Sequence, residues 1–371
     1  MALAAIVRGG QQHAIHRHAI HAIDILAWNT VSIAGAEFQI GYRGSPVQLR
    51  EALNQAMCEE MLRDPEVFLI GEEVAEYDGA YKVSQGMLAQ FGPMRVVDAP
   101  ISECGFAGLG IGAAMVGMRP IIEFMNFSFS LVAFDQVVNN APKIRHMSGG
   151  QFKIPIVFRG ISGPGQQLAA THSWTVDTLY THIPGLKVVC PTTAYDAKGL
   201  LKTAIRDDDP VIFLENESMY GLRGEVPEDE YLLPFGKADI KREGTDCTVV
   251  AWGHSCLTAL AAAEKLNLEH GISVEVVDLR TLRPLDMPAI IASVKKTGYC
   301  ITVEEGYPQC GVGAEITAQL QESCFGDLDN AIIRVAALDV PIPYSKPLLR
   351  QVIPDVTRVV DAIKKAIYFQ G

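Results

Sequence analysis

"LKVVCPTTAYDAKGLLKTAIRDDDPVIFLEN", residues 186–216, reads as strand, helix, strand. Both strands are apolar throughout rather than alternating, which means that each is covered on both faces. The same rhythm extends upstream: "EVFLIGEEV" (66–74), "RPIIEFMNF" (119–127) and "KIPIVFRG" (153–160) are further strands. "SLVAFDQVVNNAPKIRHMSGG" (130–150) is expected as one helix closed by glycine. "PVQLREALNQAMCEEMLRD" (46–64) places Leu49, Leu53, Ala56, Met57 and Met61 on one helical face. Such alternation predicts a parallel sheet with helices on both sides.

Downstream, "RGEVPEDEYLLPFGKADIKREGTD" (223–246) breaks the rhythm with Pro, Gly and charge. A second α/β unit follows, from "CTVVAWG" through "SCLTALAAAEKLNLEHG", "ISVEVVDLR", "YCITVEEG" and "GVGAEITAQLQESCFG" to "AIIRVAAL". The fold class expected is α/β, two doubly wound domains: 47–225 and 246–371, joined by a linker at 226–245. Residues 1–46 are set apart as a leader, transit-like or from a start placed too far upstream, and expected to be disordered. They hold three Arg, only two acids, and histidines at 13, 16, 18 and 21.

A net charge of −12 argues against nucleic acid and anionic membrane as partners. Eight scattered cysteines without C-x-x-C indicate neither a zinc site nor a disulfide framework, and fit a reducing compartment. No apolar run is long enough to span a bilayer. There is no G-x-x-x-x-G-K-[ST] and no G-x-S-x-G, so nucleotide hydrolysis and serine-esterase chemistry have no support. "GVGAEI" (311–316) matches part of a dinucleotide fingerprint but reads better as a tight turn into a helix.

One carboxylate stands out. In "DAPISECGFAGLGIGAAMVGMRPIIEF" (98–124), Glu103 heads a run of Gly, Ala and small apolar residues. It can serve as a first-turn carboxylate favoured by the helix dipole, and the small residues can let a helix, a flat ligand or another subunit come close. His172 lies in a polar loop after a strand, where sites of open α/β sheets gather.

Taken together, "GEEVAEYDGAYKVSQG", "PISECGFAGLGIGAAMVGMRPIIEFM", "SGGQFKIPIVFRG", "PGLKVV", "DAKGLLKTAIRDDDPVIFLENE", "VEVVDLRTLRPLD" and "VPIPYSKPL" resemble the beta subunits of the pyruvate dehydrogenase component of 2-oxo acid dehydrogenase complexes. The resemblance runs from about Val47 to the end. It implies a transketolase-like pyrimidine-binding domain followed by a transketolase C-terminal domain, half of a thiamine diphosphate enzyme. The partner is an alpha subunit in an α2β2 heterotetramer, and the product passes to lipoyl groups on a dihydrolipoyl acyltransferase core, on which the C-terminal domain docks. Decarboxylation of pyruvate is the activity implied. Rivals are the same chemistry on branched-chain 2-oxo acids or acetoin, a ferredoxin-linked oxidoreductase, and a non-catalytic docking subunit.

By that resemblance Glu103 hydrogen-bonds a pyrimidine nitrogen of the cofactor and favours the imino form that generates the ylid. A carboxyl in an apolar pocket can share a proton with a ring nitrogen rather than lose it to water. Met125 and Phe129 match positions lining the pyrimidine pocket, and His172 the loop histidine that assists proton transfer. Ile156, Ala204, Ile205, Asp207 and Asp209 match a potassium site built largely of backbone oxygens, holding a loop near the active site. The chain departs from the family's A-A-Q-H-S-Q at Thr171 and Trp174, in "AATHSW". It has no Gly-Asp-Gly, so Mg²⁺ and the diphosphate fall to the alpha subunit. The compartment implied is the bacterial cytoplasm or the mitochondrial matrix.

Overall fold

The structure is a computed structural model that describes residues 30–33, 36–39 and 45–369, Gln166 excepted. The expected leader therefore lies mostly outside the described residues. Of it, Thr30–Ile33 pairs antiparallel with Ala36–Gln39, and the strand Ser45–Gln48 begins at its end.

The first sheet has seven strands in the order Thr281–Arg283, Lys187–Val189, Val211–Glu215, Val157–Ile161, Arg119–Glu123, Val67–Gly71, Val96–Asp98. The last six are mutually parallel. The first comes from the C-terminal half of the chain and pairs antiparallel with Lys187–Val189, so one domain lends an edge strand to the other. The strands Val67–Gly71, Val157–Ile161 and Val211–Glu215 are buried at every residue, as a sheet covered on both faces requires. The second sheet has five strands in the order Asp239–Arg242, Val274–Asp278, Cys247–Ala251, Cys300–Val303, Ile333–Val335.

Helix Leu49–Arg63 packs against helix Ala194–Arg206 through the face expected from sequence: Leu49, Leu53, Ala56, Met57 and Met61 are buried. Along the seam Lys198 and Lys202 meet Glu59 at 2.6 and 2.7 Å, and Arg206 meets the buried Glu60 at 2.7 Å. Thr193 and Asp196 form a capping box that starts Ala194–Arg206. Asp196 also binds Lys241 and Arg280 of the second domain, each at 2.7 Å. One carboxylate thus ends a helix and ties two domains.

Two expectations need correction. Residues 130–150 are not one helix: a 3-10 turn at Phe127–Leu131 and a π segment at Gln136–Asn140 precede the α-helix Ala141–Met147. Part of the stretch read as a linker, 226–245, is a strand: Asp239–Arg242 pairs antiparallel with Val274–Asp278. Its Pro, Gly and charge suit an edge strand as well as a linker, because only one side of it is paired.

Candidate active site

The sheet topology gathers the chemistry. Glu72 follows Val67–Gly71, Glu103 follows Val96–Asp98, Met125 and Phe129 follow Arg119–Glu123, and the His172 loop follows Val157–Ile161. These four strands are neighbours, so their C-terminal ends open on one crevice.

Glu103 is the first residue of helix Glu103–Met115, where the helix dipole favours an anion. It is buried, at 6% exposure, and among the described residues nothing hydrogen-bonds its carboxylate. Glu72 stands beside it, also buried, with Oε1 unpartnered. Burial, and then the charge of Glu103, hold the Glu72 carboxyl above its ordinary range. Two unsatisfied acids against an apolar wall are the complement of a nitrogen heterocycle that brings hydrogen-bond donors. The pyrimidine of thiamine diphosphate is such a ring, and the residues present fit it.

The wall is aromatic. Phe124 stacks on Phe158 with centroids 6.0 Å apart and tilts against Phe106 at 5.8 Å. Helix Glu103–Met115 presses onto the sheet so closely that a Cβ on Gly110 would stand 2.5 Å from Ile122 Cδ1. The opposite face of the helix shows Gly105, Leu109, Gly112 and Val116 to solvent, Val116 at 80% exposure. That face is small and apolar, and a Cβ on Gly112 would meet nothing.

His172 meets the segment 125–129 directly. Its ring sits edge-on to Phe129, perpendicular and 4.7 Å away. Asn126 Nδ2 donates to the His172 carbonyl at 2.6 Å, while Asn126 Oδ1 accepts from Ser128 N–H. Thr171 Oγ1 lies 2.9 Å from His172 Nδ1. The loop is latched at its far side too, where Gln167 Nε2 donates to the Tyr344 carbonyl at 3.1 Å. Gln167 and Ala169 both have left-handed φ, 61° and 65°, an uncommon conformation for residues with a Cβ. Met125 is half-buried at the start of the same segment.

The five residues matched to potassium lie together, but at the other end of the sheet. Ile156 precedes its strand, Ala204 and Ile205 lie in the last turn of helix Ala194–Arg206, and Asp207 and Asp209 sit between that helix and the start of Val211–Glu215. Arg119 donates to the carbonyls of Ile205 and Asp207, both at 3.0 Å. Lys187 Nζ lies 2.6 Å from the Asp207 carboxylate, and Arg145 pairs with Asp209. These positions lie at the N-terminal ends of the strands, away from the His172 loop.

"GVGAEI" is a tight turn into a helix, as read. Gly311 caps Val312–Cys324, and Glu304 Oε1 accepts from Gly313 N–H at 3.2 Å. A Cβ on Gly311 or Gly313 would lie 2.7 Å from Glu304 Oε1. The chain's own carboxylate fills the place a nucleotide phosphate would take.

Sequence reasoning passed over Glu72 and Asn126, and marked Thr171 only as a departure from the family pattern. An acid directly after an apolar strand, as in "LIGEE", was the available signal for Glu72. Asn126 gave none, because its role depends on a contact between segments 46 residues apart.

Comparison with known proteins agrees with this geometry. The description "Transketolase, pyrimidine binding domain" matches residues 45–223 and "Transketolase, C-terminal domain" matches 236–359. A Rhizobium meliloti protein named pyruvate dehydrogenase E1 component subunit beta is 55% identical, over 88% of this chain and 71% of its own. Its namesake in Rickettsia felis is 52% identical over 87% of this chain and 99% of its own. The mitochondrial one of Rattus norvegicus is 53% identical over 88% and 93%. Among solved structures, "Split gene transketolase, inactive beta4 tetramer" superposes with a TM-score of 0.70 at 23% identity, covering 89% of this chain and all of that one. No described helix is long and apolar enough to cross a membrane.

Proposed function

The chain belongs to the family of pyruvate dehydrogenase E1 component beta subunits, and on that premise we propose the part each of its residues plays. With an alpha subunit, in an α2β2 heterotetramer, it carries out the oxidative decarboxylation of pyruvate and transfers the acetyl group to lipoyl groups of an acyltransferase core. Bound in the crevice, thiamine diphosphate supplies the electron sink for loss of carbon dioxide from a 2-oxo acid.

Glu103 holds a proton at the pyrimidine nitrogen. The observation that carries this is a carboxylate buried at a helix N-terminus with no internal partner and a second acid, Glu72, beside it. Phe129 and Met125 line the pyrimidine and exclude water from it. His172, edge-on to Phe129, moves a proton at the open side of the crevice. Mg²⁺ and the diphosphate are held by the alpha subunit, whose helices close on the small exposed face of Glu103–Met115. Relatives occur in bacteria and in mitochondria, so the working compartment is the bacterial cytoplasm or the mitochondrial matrix. Oxygens of Ile156, Ala204, Ile205, Asp207 and Asp209 bind potassium, sharing carbonyls with Arg119; a carbonyl's second lone pair permits this.

The test is coexpression with the alpha partner and decarboxylation of pyruvate beside 3-methyl-2-oxobutanoate, with thiamine diphosphate and Mg²⁺. Pyruvate is expected to be preferred, and Glu103→Gln to lower kcat by about 10²–10⁴-fold, the range for a positioned acid–base group. Full activity of Glu103→Gln in an intact assembly would remove Glu103 from the chemistry.

A further inference from the structure

His172 is held at its backbone from two directions. Its N–H donates to the Ala169 carbonyl at 3.2 Å, and its own carbonyl accepts from Asn126 Nδ2 at 2.6 Å. Asn126 is itself buried and committed to Ser128 N–H through Oδ1, so the clamp does not swing freely. The Phe129 edge then fixes the plane in which the imidazole lies.

These contacts leave one ambiguity. An imidazole turned over by 180° has nearly the same shape but exchanges its two nitrogens with its carbons, and packing alone discriminates poorly between the two settings. A hydrogen bond breaks the tie. Thr171 Oγ1, 2.9 Å from Nδ1, is the partner found at the ring among the described residues. In the neutral ring the nitrogen that keeps its hydrogen is set by the bond the other makes or lacks.

Resting on the reading of His172 as a proton-transfer group, we propose that Thr171 is its positioning residue. The hydroxyl oxygen accepts Nδ1–H in both protonation states of the ring, which leaves Nε2 as the atom that trades its proton. When the ring gives that proton up, the Nε2–H bond breaks as a new S–H or O–H bond forms on the acceptor. The ring is then neutral with its hydrogen still on Nδ1, bonded to Thr171, and Nε2 is free to be reprotonated from water. Thr171 touches neither substrate nor cofactor in this account. It acts through the ring, and Asn126 acts through the backbone beneath it.

The experiment uses the assembled enzyme with a lipoyl domain as acceptor, and ferricyanide in its place as a second assay. Thr171→Val keeps the shape and removes the hydroxyl, Thr171→Ser keeps the hydroxyl, and His172→Gln removes the imidazole. Losing one net hydrogen bond to the ring is expected to lower kcat about five- to tenfold in Thr171→Val. KM for pyruvate should stay unchanged, and Thr171→Ser should stay within about twofold of the wild type. Adding Thr171→Val to His172→Gln should cost nothing more, since the two act as one unit. The ferricyanide assay assigns the step: it is spared where His172 serves the dithiolane, and falls in parallel where His172 serves the substrate.

Equal losses in Thr171→Val and Thr171→Ser would make the side chain's shape the cause and overturn the proposal. A fully active Thr171→Val beside a crippled His172→Gln would overturn it while leaving His172 its role. A fully active His172→Gln would defeat the reading of His172 and the proposal with it.

Discussion

Replacing Glu304 by Gln should change how stability responds to pH, and the structure sets the sign and the ceiling. Glu304 ends the strand Cys300–Val303 and is fully buried beneath the N-terminus of Val312–Cys324. Among the described residues its Oε2 has no partner, nor has Asp177 Oδ1. Both oxygens, with Thr175 Oγ1, lie within 3.8 Å of the point where a Cβ on Gly306 would stand. Asp177 Oδ2 accepts Trp252 Nε1–H at 2.9 Å, though burial holds the Asp177 carboxyl above its ordinary range as well. Burial first, and then the charge of Asp177, push the Glu304 carboxyl up to about 8, against the pull of Gly313 N–H, Arg334 and Val312 N–H. In the unfolded chain the group titrates near 4.5. Folding therefore takes up a proton in the window between the two values. The stability this group confers is complete below about 4.5, declines as pH climbs towards about 8, and is level beyond, where both states are ionised.

The slope has a ceiling of about 1.4 kcal/mol per pH unit, hence about 2–3 kcal/mol between pH 6 and pH 8. Gln keeps the shape, can donate its amide towards Asp177, and titrates nothing. Denaturant unfolding at both pH values should show the wild type losing up to that amount relative to Glu304→Gln, with m unchanged. Parallel pH curves for the two proteins would refute the reasoning, since they would mean that Glu304 is already ionised inside the fold at pH 6.

Arg159, fully buried, bridges Glu123 and Glu215 across three adjacent strands, with Nε 2.7 Å from Glu215 Oε1. Arg159→Met leaves two buried carboxylates without a cation and should lower the unfolding free energy by about 3–5 kcal/mol; a loss under about 1 kcal/mol would show that solvent reaches them. Potassium should raise the melting temperature above that in sodium at equal ionic strength, because the oxygens concerned brace the sheet ends. Identical melting in both salts would assign those oxygens to Arg119 and Lys187 alone.

Strands that are apolar on both faces and the buried stripe of Leu49–Arg63 were legible from sequence because each is a periodic signal within one segment. The broken helix at 127–147 was not, since a π segment inserts a register change that leaves the apolar spacing almost intact. The edge strand lent by Thr281–Arg283 was equally hidden: three residues of pairing to another domain carry no pattern of their own. For the site, Glu103 was visible as a charge out of place, whereas its neighbourhood was not. Glu72 reaches Glu103, and Asn126 reaches His172, only after four strand ends have been brought side by side.

The contrast between the two glycine-rich stretches fits the alpha partner proposed above. At 311–313 the glycines make room for Glu304, so the turn that resembles a phosphate site is closed from within. At 105–112 Gly110 packs against Ile122 and Gly108 lies beside Gln136, while Gly112 opens on nothing. An inward glycine that packs and outward glycines that do not are what a helix needs when its second neighbour belongs to another chain. The acid at the head of that helix, already buried within this chain, gains further cover from the alpha subunit proposed above.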